Sequence, residues 1–378
     1  MKGNRQKSDQ FSENSIRVGF TTSACASAAA AAAVKALITK TNITEISIDL
    51  PSVKNVSFPI HYCEIGESRA LCSVIKDSGD DAFDATHGIE IKASAVWQDK
   101  MGIELKGGTG VGKVTLPGLP LPVGEAAINP MPRRIILDSV QAVLAYYGKN
   151  VEEGVCITIE VPEGEKIAGK TMNPELGIIG GISILGTDGI QRPFSQPSYR
   201  ASVYYGLKVS RLKGCEEVGI SSGRRSLTAL QKQIQPSDKI YFIEVGDEIG
   251  YALSQAARLG YKKGYIGIMP GKLSKLAQGR MQTHIDFGKV DFEFLSEVAE
   301  SIGISQTIVN DILKAKTVHY VLSKLSSIEK MKLLQKLAER AASFCTKAAL
   351  NRMEIKMYVF SIKGECYLSS YQEEEMSA

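Results

Sequence analysis

Two short apolar runs, Tyr241 to Val245 and Tyr265 to Met269, each stop at a glycine-containing turn and give way to helical spacing. The first breaks at Gly246-Asp247 before a helical pattern from about Ile249 to Leu259, and the second breaks at Pro270-Gly271-Lys272 before another. A buried strand, a glycine turn and a helix, written twice, predict a parallel α/β sheet. Ligands of such sheets sit beyond the carboxyl ends of the strands. A third unit precedes these two: Ala201 to Lys213 is helix-like, and EEVGISSGRRS reads as strand, turn and helix start. Beyond Asp291 the spacing is helical, until an apolar strand over Lys356 to Ile362 and an acidic tail.

The first half of the chain reads differently. Residues 1–15 are polar and read as a flexible tail. In RVGFTTSACASAAAAAAVKALITK, Thr21, Thr22 or Ser23 can cap a helix, and the alanine run after them is strongly helix-forming. From Glu45 to Trp97 the runs ISIDLP, VSFPIHYCEI, RALCSVIKD and IEIKASAVW alternate or stay apolar between turn residues, as strands do. VCITIEVPEGEKIAGKT reads as a strand pair or strand-turn, and ISILG as one more buried strand. Polar, proline-containing residues 191–198 mark a boundary. The expectation is α/β and α+β in two domains: a mixed α+β substrate-side domain over 1–195, and a Rossmann-like parallel-sheet domain with a helical C-terminal part over 196–378.

Composition narrows the class only a little. The chain has 378 residues, 44% hydrophobic and 23% charged, enough for two cores. A net charge of +4 gives no argument for nucleic acid and suits an anionic small molecule. Seven scattered cysteines without a Cys-x-x-Cys pair favour reduced thiols, and four dispersed histidines lack metal-ligand spacing. The N-terminus lacks the apolar core of a signal peptide, and Ala24 to Val34 is too short to span a bilayer. A soluble cytoplasmic protein, with no nucleic-acid or membrane partner and compatible with a homo-oligomer, is expected.

Several segments carry candidate chemistry. KDSGDDAFDATHG holds Asp77, Asp80, Asp81, Asp84 and His87. It is out of register with a calcium-binding loop, but its two adjacent carboxylates, Asp80 and Asp81, and His87 are candidate proton acceptors, against the plain alternative of a solvated acidic turn. In GGTGVGKVT, Gly107, Gly112 and Lys113 fit the phosphate-loop frame. Val114 stands where a magnesium-binding hydroxyl is needed, and the prolines that follow forbid the helix, so a nucleotide triphosphatase is rejected. The glycines then serve close approach of backbone to a ligand or a neighbouring strand. Arg133-Arg134 opens an amphipathic helix against its dipole, which suits carboxylate binding as well as solvation.

Seven phrases in order, GFTTSACASAAAAA, KDSGDDAFDATHG, GGTGVGKVTLPGL, GEAAINPMPRR, NPELGIIGGISILGTDGI, EVGDEIGYALSQAARLG and PGKLSKLAQGRMQTH, cover Gly19 to His284, about 70% of the chain. Together they resemble the cobalt-precorrin-5B C(1)-methyltransferase family of anaerobic cobalamin biosynthesis. The chain departs from the family pattern at Ser23, at Asp188, over 221–225 and at Ile285. The resemblance implies S-adenosyl-L-methionine as methyl donor and a cobalt-containing tetrapyrrole as substrate, methylated at ring carbon 1 to give cobalt-precorrin-6A. It also implies that cobalt arrives inside the substrate, with no metal site in the protein.

On that basis the glycine turns after the parallel strands are the expected donor site: Ser221, Gly223, Gly246, Asp247 and Gly250. Asp247 would hold ribose hydroxyls or the donor's ammonium, its plain alternative being a helix N-cap. Thr21, Thr22, Lys113, Arg133, Arg134 and Lys272 are candidates for the substrate's carboxylate arms, with Lys275 and Arg280 beside them. Asp80, Asp81, His87 and His284 are candidates for proton handling. The competing readings are an oxidoreductase on the same sheet, although EVGDEIG lacks the full G-x-G-x-x-G spacing, and a corrinoid carrier without catalysis.

Overall fold

The computed structural model describes residues 17–81, 84–149, 153–193 and 195–369. It divides the chain into two compact units, Met1–Ser195 and Gln196–Ala378. The tail expected over residues 1–15 lies outside the described residues; of the tail expected after Ile362, Cys366–Ser369 forms a strand instead, and the residues after 369 lie outside the described ones.

The first unit is arranged around helix α1 (Thr22–Thr39). Ala24, Ala26 and Ala28 through Ala33 are all 0% exposed, so every face of the helix is covered. Alanine suits this place twice over. It favours the helix, and its single methyl lets neighbouring backbone approach from all sides. The helix outlasts the apolar stretch that ends at Val34: the Thr39 hydroxyl donates to the Lys35 carbonyl at 2.8 Å, and Lys40 closes the last turn in the left-handed region. Among the described residues it is the one helix long and apolar enough to cross a membrane, and 83% of that span is buried inside the unit.

Against α1 lie strands β1 (Tyr62–Ile65), β2 (Arg69–Ile75) and β3 (Glu90–Trp97), and helix α2 (Pro130–Tyr146). With β4 (Ile103–Gly107) and β5 (Val155–Glu160), the strands make a five-stranded sheet in the order β1-β2-β3-β5-β4. Its neighbours are antiparallel except β5 and β4, which are parallel. Val155, Ile157 and Ile159, at every second position of β5, are 0% exposed, which is the alternation of a sheet with one covered face. Residues 45–48 and 56–59 pair as a separate hairpin.

The phosphate-loop look-alike forms short strands. Gly110–Val111 pairs with Gly181–Ile182, and Lys113–Val114 pairs with Ile178–Ile179. Gly110 has φ +71°, and a Cβ there would lie 1.8 Å from the Val161 carbonyl oxygen. The glycines therefore serve backbone-to-backbone approach, of the two options the sequence left open. ISILG pairs at Ile182 with Val111 and, through an isolated parallel bridge, at Ile184 with Ile128, and both isoleucines are buried.

In the second unit, helix α3 (Gln196–Leu212) leads into β6 (Glu217–Ser221), α4 (Arg224–Ile234), β7 (Ile240–Glu244), α5 (Ile249–Arg258), β8 (Lys263–Ile268) and α6 (Pro270–Leu276). Short helices follow, then α7 (Ser327–Ala348), β9 (Glu354–Phe360) and β10 (Cys366–Ser369). The sheet order is β7-β6-β8-β9-β10, parallel throughout except for β10. Helices α3 and α7 pack on α5, while α4 lies on β6, β7 and β8. The last long strand starts at Glu354, two residues before the sequence expectation. Ile362, expected to end that strand, stands beyond it and 58% exposed. Both units mix helices and sheet.

Candidate functional site

Three of the quoted phrases meet at the start of α1 in the first unit. Thr21 is the N-cap, and its Oγ1 accepts from the Ala24 amide at 3.3 Å. Thr22 Oγ1 both donates to the Leu185 carbonyl (3.2 Å) and accepts from the Leu185 amide (2.8 Å). Ser23 Oγ is buried with no hydrogen-bond partner among the described residues. The Phe20 amide donates to the Asp77 carbonyl at 2.7 Å, and Gln191 donates to Asp81 at 2.7 Å, so the loops at 76–88 and 185–191 are tied to the helix start. Thr21, Thr22, Asp80, Asp81 and His87 are thus neighbours.

Their protonation chemistry is more constrained than a solvated acidic turn would be. Lys76 is 2% exposed and pairs with Asp84, and its Nζ lies 2.5 Å from Ser78 Oγ. Burial works to raise the Asp84 carboxyl, but the Lys76 charge and the hydroxyls of Thr86 and Ser78 outweigh it and hold the group down at about 2. Asp84 is therefore an anchor and not a base. His87 Nδ1 accepts from the Ser78 amide at 3.1 Å, and the exposed Asp80 accepts from the Arg17 amide at 2.7 Å. Asp80, Asp81 and His87 stand out in the sequence of this segment, and Lys76 does not. A lysine at the end of an apolar strand carries no signal of burial.

Two of the other candidate cations of this unit are already paired. Arg133 lies 3.2 Å from Glu125, and Arg134 lies 3.7 Å from Asp138 one helical turn on. Lys113 sits exposed on its two-residue strand.

In the second unit the chain leaves β6 outward to β7 and then crosses back to β8 on the far side of β6. The turns after β6 and β8 therefore part company, and a crevice opens at their carboxyl ends, the usual ligand position in such sheets. A cavity of about 730 Å³ lies there, lined by residues 222–226, 269–272 and 275 of the two turns, and by Val290, residues 316–319, Leu322, Ser361, Ile362 and Tyr367. Gly223 lines it with open space where a Cβ would stand. Ser221 is buried just beneath, its hydroxyl bonded to Ser226 Oγ at 2.6 Å and to the Gly267 carbonyl at 3.0 Å. It holds the turn and does not face the cavity.

Asp247 follows β7. It does not cap α5: the N-cap position is Glu248, which makes no capping bond with its side chain. Instead Asp247 Oδ1 accepts from Thr283 Oγ1 at 2.5 Å and lies 2.9 Å from Lys272 Nζ. Burial pushes its carboxyl up, but Thr283 and Lys272 together hold it below the usual carboxylate range. Lys272 also donates to the Ser222 carbonyl at 3.2 Å, so one ammonium ties the ends of β6 and β7 to the start of α6. Lys275, on the same helix, is 9% exposed and donates to the Thr283 carbonyl at 2.7 Å; burial lowers its pKa.

The remaining donor-site candidates are set by packing. Gly246 takes φ +53°, and a Cβ on Gly250 would lie 2.4 Å from Met281 Cβ. His284 is at the surface of this unit, 3.2 Å from Asp286, and belongs to a different unit from His87. Arg280 donates to the Lys289 carbonyl at 2.9 Å. Among the described residues no three His, Cys, Asp or Glu side chains gather as a metal site.

Comparison with known proteins adds the following. The family model described as CbiD matches residues 9–193, and the model described as CbiD, C-terminal domain, matches residues 282–370. The chain is 46% identical over 309 residues to the cobalt-precorrin-5B C(1)-methyltransferase of Geobacillus sp. (strain WCH70), covering 82% of this chain and 84% of that protein. It is 44% identical over 357 residues to the enzyme of that name from Geobacillus kaustophilus, covering 93% and 94%. With the Priestia megaterium enzyme of that name it shares 41% identity over 350 residues, covering 93% and 95%. A crystal structure of the cobalamin biosynthesis protein cbiD from Archaeoglobus fulgidus is 28% identical, with a TM-score of 0.40, over 71% of this chain and 82% of that one.

Proposed function

We infer that this chain, which belongs to the CbiD family, is a C-methyltransferase that methylates carbon 1 of cobalt-precorrin-5B in cobalamin biosynthesis. The donor in this reading is S-adenosyl-L-methionine, and the product is cobalt-precorrin-6A. The cobalt belongs to the substrate.

The donor supplies a methyl group already activated on a sulfonium, so the protein's own work is to align two reactants and exclude water. Such alignment contributes roughly 7–11 kcal/mol to lowering the barrier, whereas a general base adds on the order of 10²–10⁴ in rate. This difference suits a site built of glycine turns and ion pairs.

The observation that carries the donor assignment is the Asp247–Lys272 pair at the carboxyl ends of β7 and β8. The amino-acid end of the donor is a zwitterion, and an ion pair is its complement: the carboxylate goes to Lys272 and the ammonium to Asp247. Because Asp247 stays ionised, it suits cation binding and is a poor proton acceptor. Gly223 keeps the turn after β6 open. Asp80, Asp81 and His87 remain the proton-handling candidates of the first unit, and His284 that of the second. In this reading Thr21 and Thr22, at the first helix start, meet the substrate, with Lys113, Arg133 and Arg134 as candidate partners for its carboxylates.

The test is incubation with methyl-labelled S-adenosylmethionine and cobalt-precorrin-5B. Label in the tetrapyrrole is the expected result. Binding of both ligands without transfer would make the protein a carrier and overturn the catalytic reading. Calorimetry on Asp247→Ala addresses the donor site: unchanged affinity in a folded variant removes Asp247 from it.

A further inference from the structure

The second-unit cavity has a consistent sign. Its charged lining residues are Arg224, Arg225, Lys272, Lys275 and Lys316, with His319 beside them, and no aspartate or glutamate among the described residues lines it. Lys272 and Lys275 are committed to Asp247 and to the Thr283 carbonyl, and Arg224 lies 3.7 Å from Glu244. Arg225 and Lys316 are exposed and make no ion pair among the described residues. They come from separate stretches, the start of α4 and the loop before Thr317, and both border the same apolar surface of Met269, Val290, Val318 and Ile362.

An apolar bowl with a rim of unspent cations fits a ligand with an apolar body and anions around its edge. A solvated basic face would explain the cations but not the apolar surface they border, of which Ile362 is 58% exposed. A bare phosphate would use the cations but gain nothing from that surface.

We propose that Arg225 and Lys316 determine specificity for the tetrapyrrole by gripping its peripheral carboxylates at the mouth of this crevice. The proposal rests on the methyltransferase reading and extends it, since it assigns substrate recognition to the second unit and to residues that the sequence did not single out. Arginine grips a carboxylate bidentately and lysine as a point charge, so the two together tolerate variation in where the arms fall.

The experiment compares the wild type, the double variant Arg225→Gln/Lys316→Gln, and Lys232→Gln, an exposed charge control away from the cavity. Cobalt-precorrin-5B binding is followed by its visible absorbance, and turnover by label transfer from S-adenosylmethionine. The double variant is expected to raise the Kd and KM for the tetrapyrrole about tenfold, equivalent to ~1.4 kcal/mol. Its donor KM should stay within about twofold, and its salt dependence should be shallower than that of the wild type, as expected when exposed charges are removed. Lys232→Gln should match the wild type. Equal tetrapyrrole binding by wild type and folded double variant overturns the proposal, as does a loss no larger than that of Lys232→Gln. A wild type that binds the tetrapyrrole through this rim but never transfers label leaves the rim standing and removes the catalytic reading. A wild type that does not bind the tetrapyrrole removes both.

Discussion

Lys76 and Asp84 form an ion pair shut away from water, with side-chain exposures of 1% and 12%. The pair fixes the loop that carries Asp80, Asp81 and His87 against the start of α1. It also makes that unit acid-sensitive in a defined window. The folded carboxyl of Asp84 sits at about 2, below an unfolded value of about 3.9, so its contribution is present above the unfolded value and fades as pH falls through about 2. A shift of that size corresponds to roughly 2–3 kcal/mol. Urea denaturation between pH 5 and pH 2 should show Asp84→Asn with a flatter loss of stability than the wild type. Parallel curves would refute the assignment. Lys76→Met, which strands the buried carboxylate, should cost roughly 3–5 kcal/mol at neutral pH.

The Asp247–Lys272 pair predicts non-additivity. Each of Asp247→Asn and Lys272→Met should weaken S-adenosylmethionine binding in calorimetry, because each removes one pole of the zwitterion's complement. The double variant should lose less than the sum, with a coupling of ~1 kcal/mol for a pair that is part-exposed. Strict additivity would mean that the two side chains act on the donor separately. If Lys272 also meets the substrate, Lys272→Met should raise the tetrapyrrole KM more than it lowers kcat, and the reverse pattern counts against binding.

Helix α1 gives two opposite stability predictions. Ser23 Oγ is buried and unpartnered among the described residues, and an unsatisfied buried hydroxyl costs about 1–3 kcal/mol. Ser23→Ala should therefore raise the melting temperature, with alanine's helix preference adding to the gain. Ala30, by contrast, is 0% exposed in a helix covered on all sides. Ala30→Leu should destabilise by roughly 1–3 kcal/mol through overpacking. A neutral result at Ala30 would mean that the helix has room which its burial does not suggest.

The strand-turn-helix units at 217–276 were legible because period, glycine and proline all marked the same boundaries. The first unit was legible as helix and strands but not as an arrangement, because pairing such as Gly110 with Gly181 joins residues far apart in sequence that share no local pattern. The same limit applies to the site. Asp247 was readable as special from its turn, but not as the partner of Lys272 and Thr283. Arg225 and Lys316 were not readable at all, since two cations separated by some ninety residues become a rim only when the loop before Thr317 reaches the strand ends. The reading of Asp247 as a helix cap failed because Thr283 and Lys272, both outside α5, occupy its carboxylate.

Glu248 yields a last prediction, one that joins packing to the site. It is 4% exposed, and three side chains from two other segments converge on it: Arg200 Nε at 2.8 Å, Gln196 Nε2 at 2.6 Å and Gln282 Nε2 at 2.9 Å. Gln282 precedes Thr283, whose hydroxyl orients Asp247, so Glu248 indirectly sets the position of the carboxylate proposed to bind the donor. Glu248→Leu removes all three acceptor bonds and buries unpaired donors; it should cost roughly 3–5 kcal/mol of stability and weaken donor affinity. Glu248→Gln keeps an acceptor oxygen, so a smaller stability loss with most donor affinity retained is expected. The discriminating variant is Arg200→Met, which breaks the ion pair but leaves the bond to Gln282. It should lower the melting temperature as Glu248→Leu does while sparing donor affinity. If Arg200→Met and Glu248→Leu weaken the donor equally, the effect is general loosening of the unit and not transmission through Gln282 and Thr283.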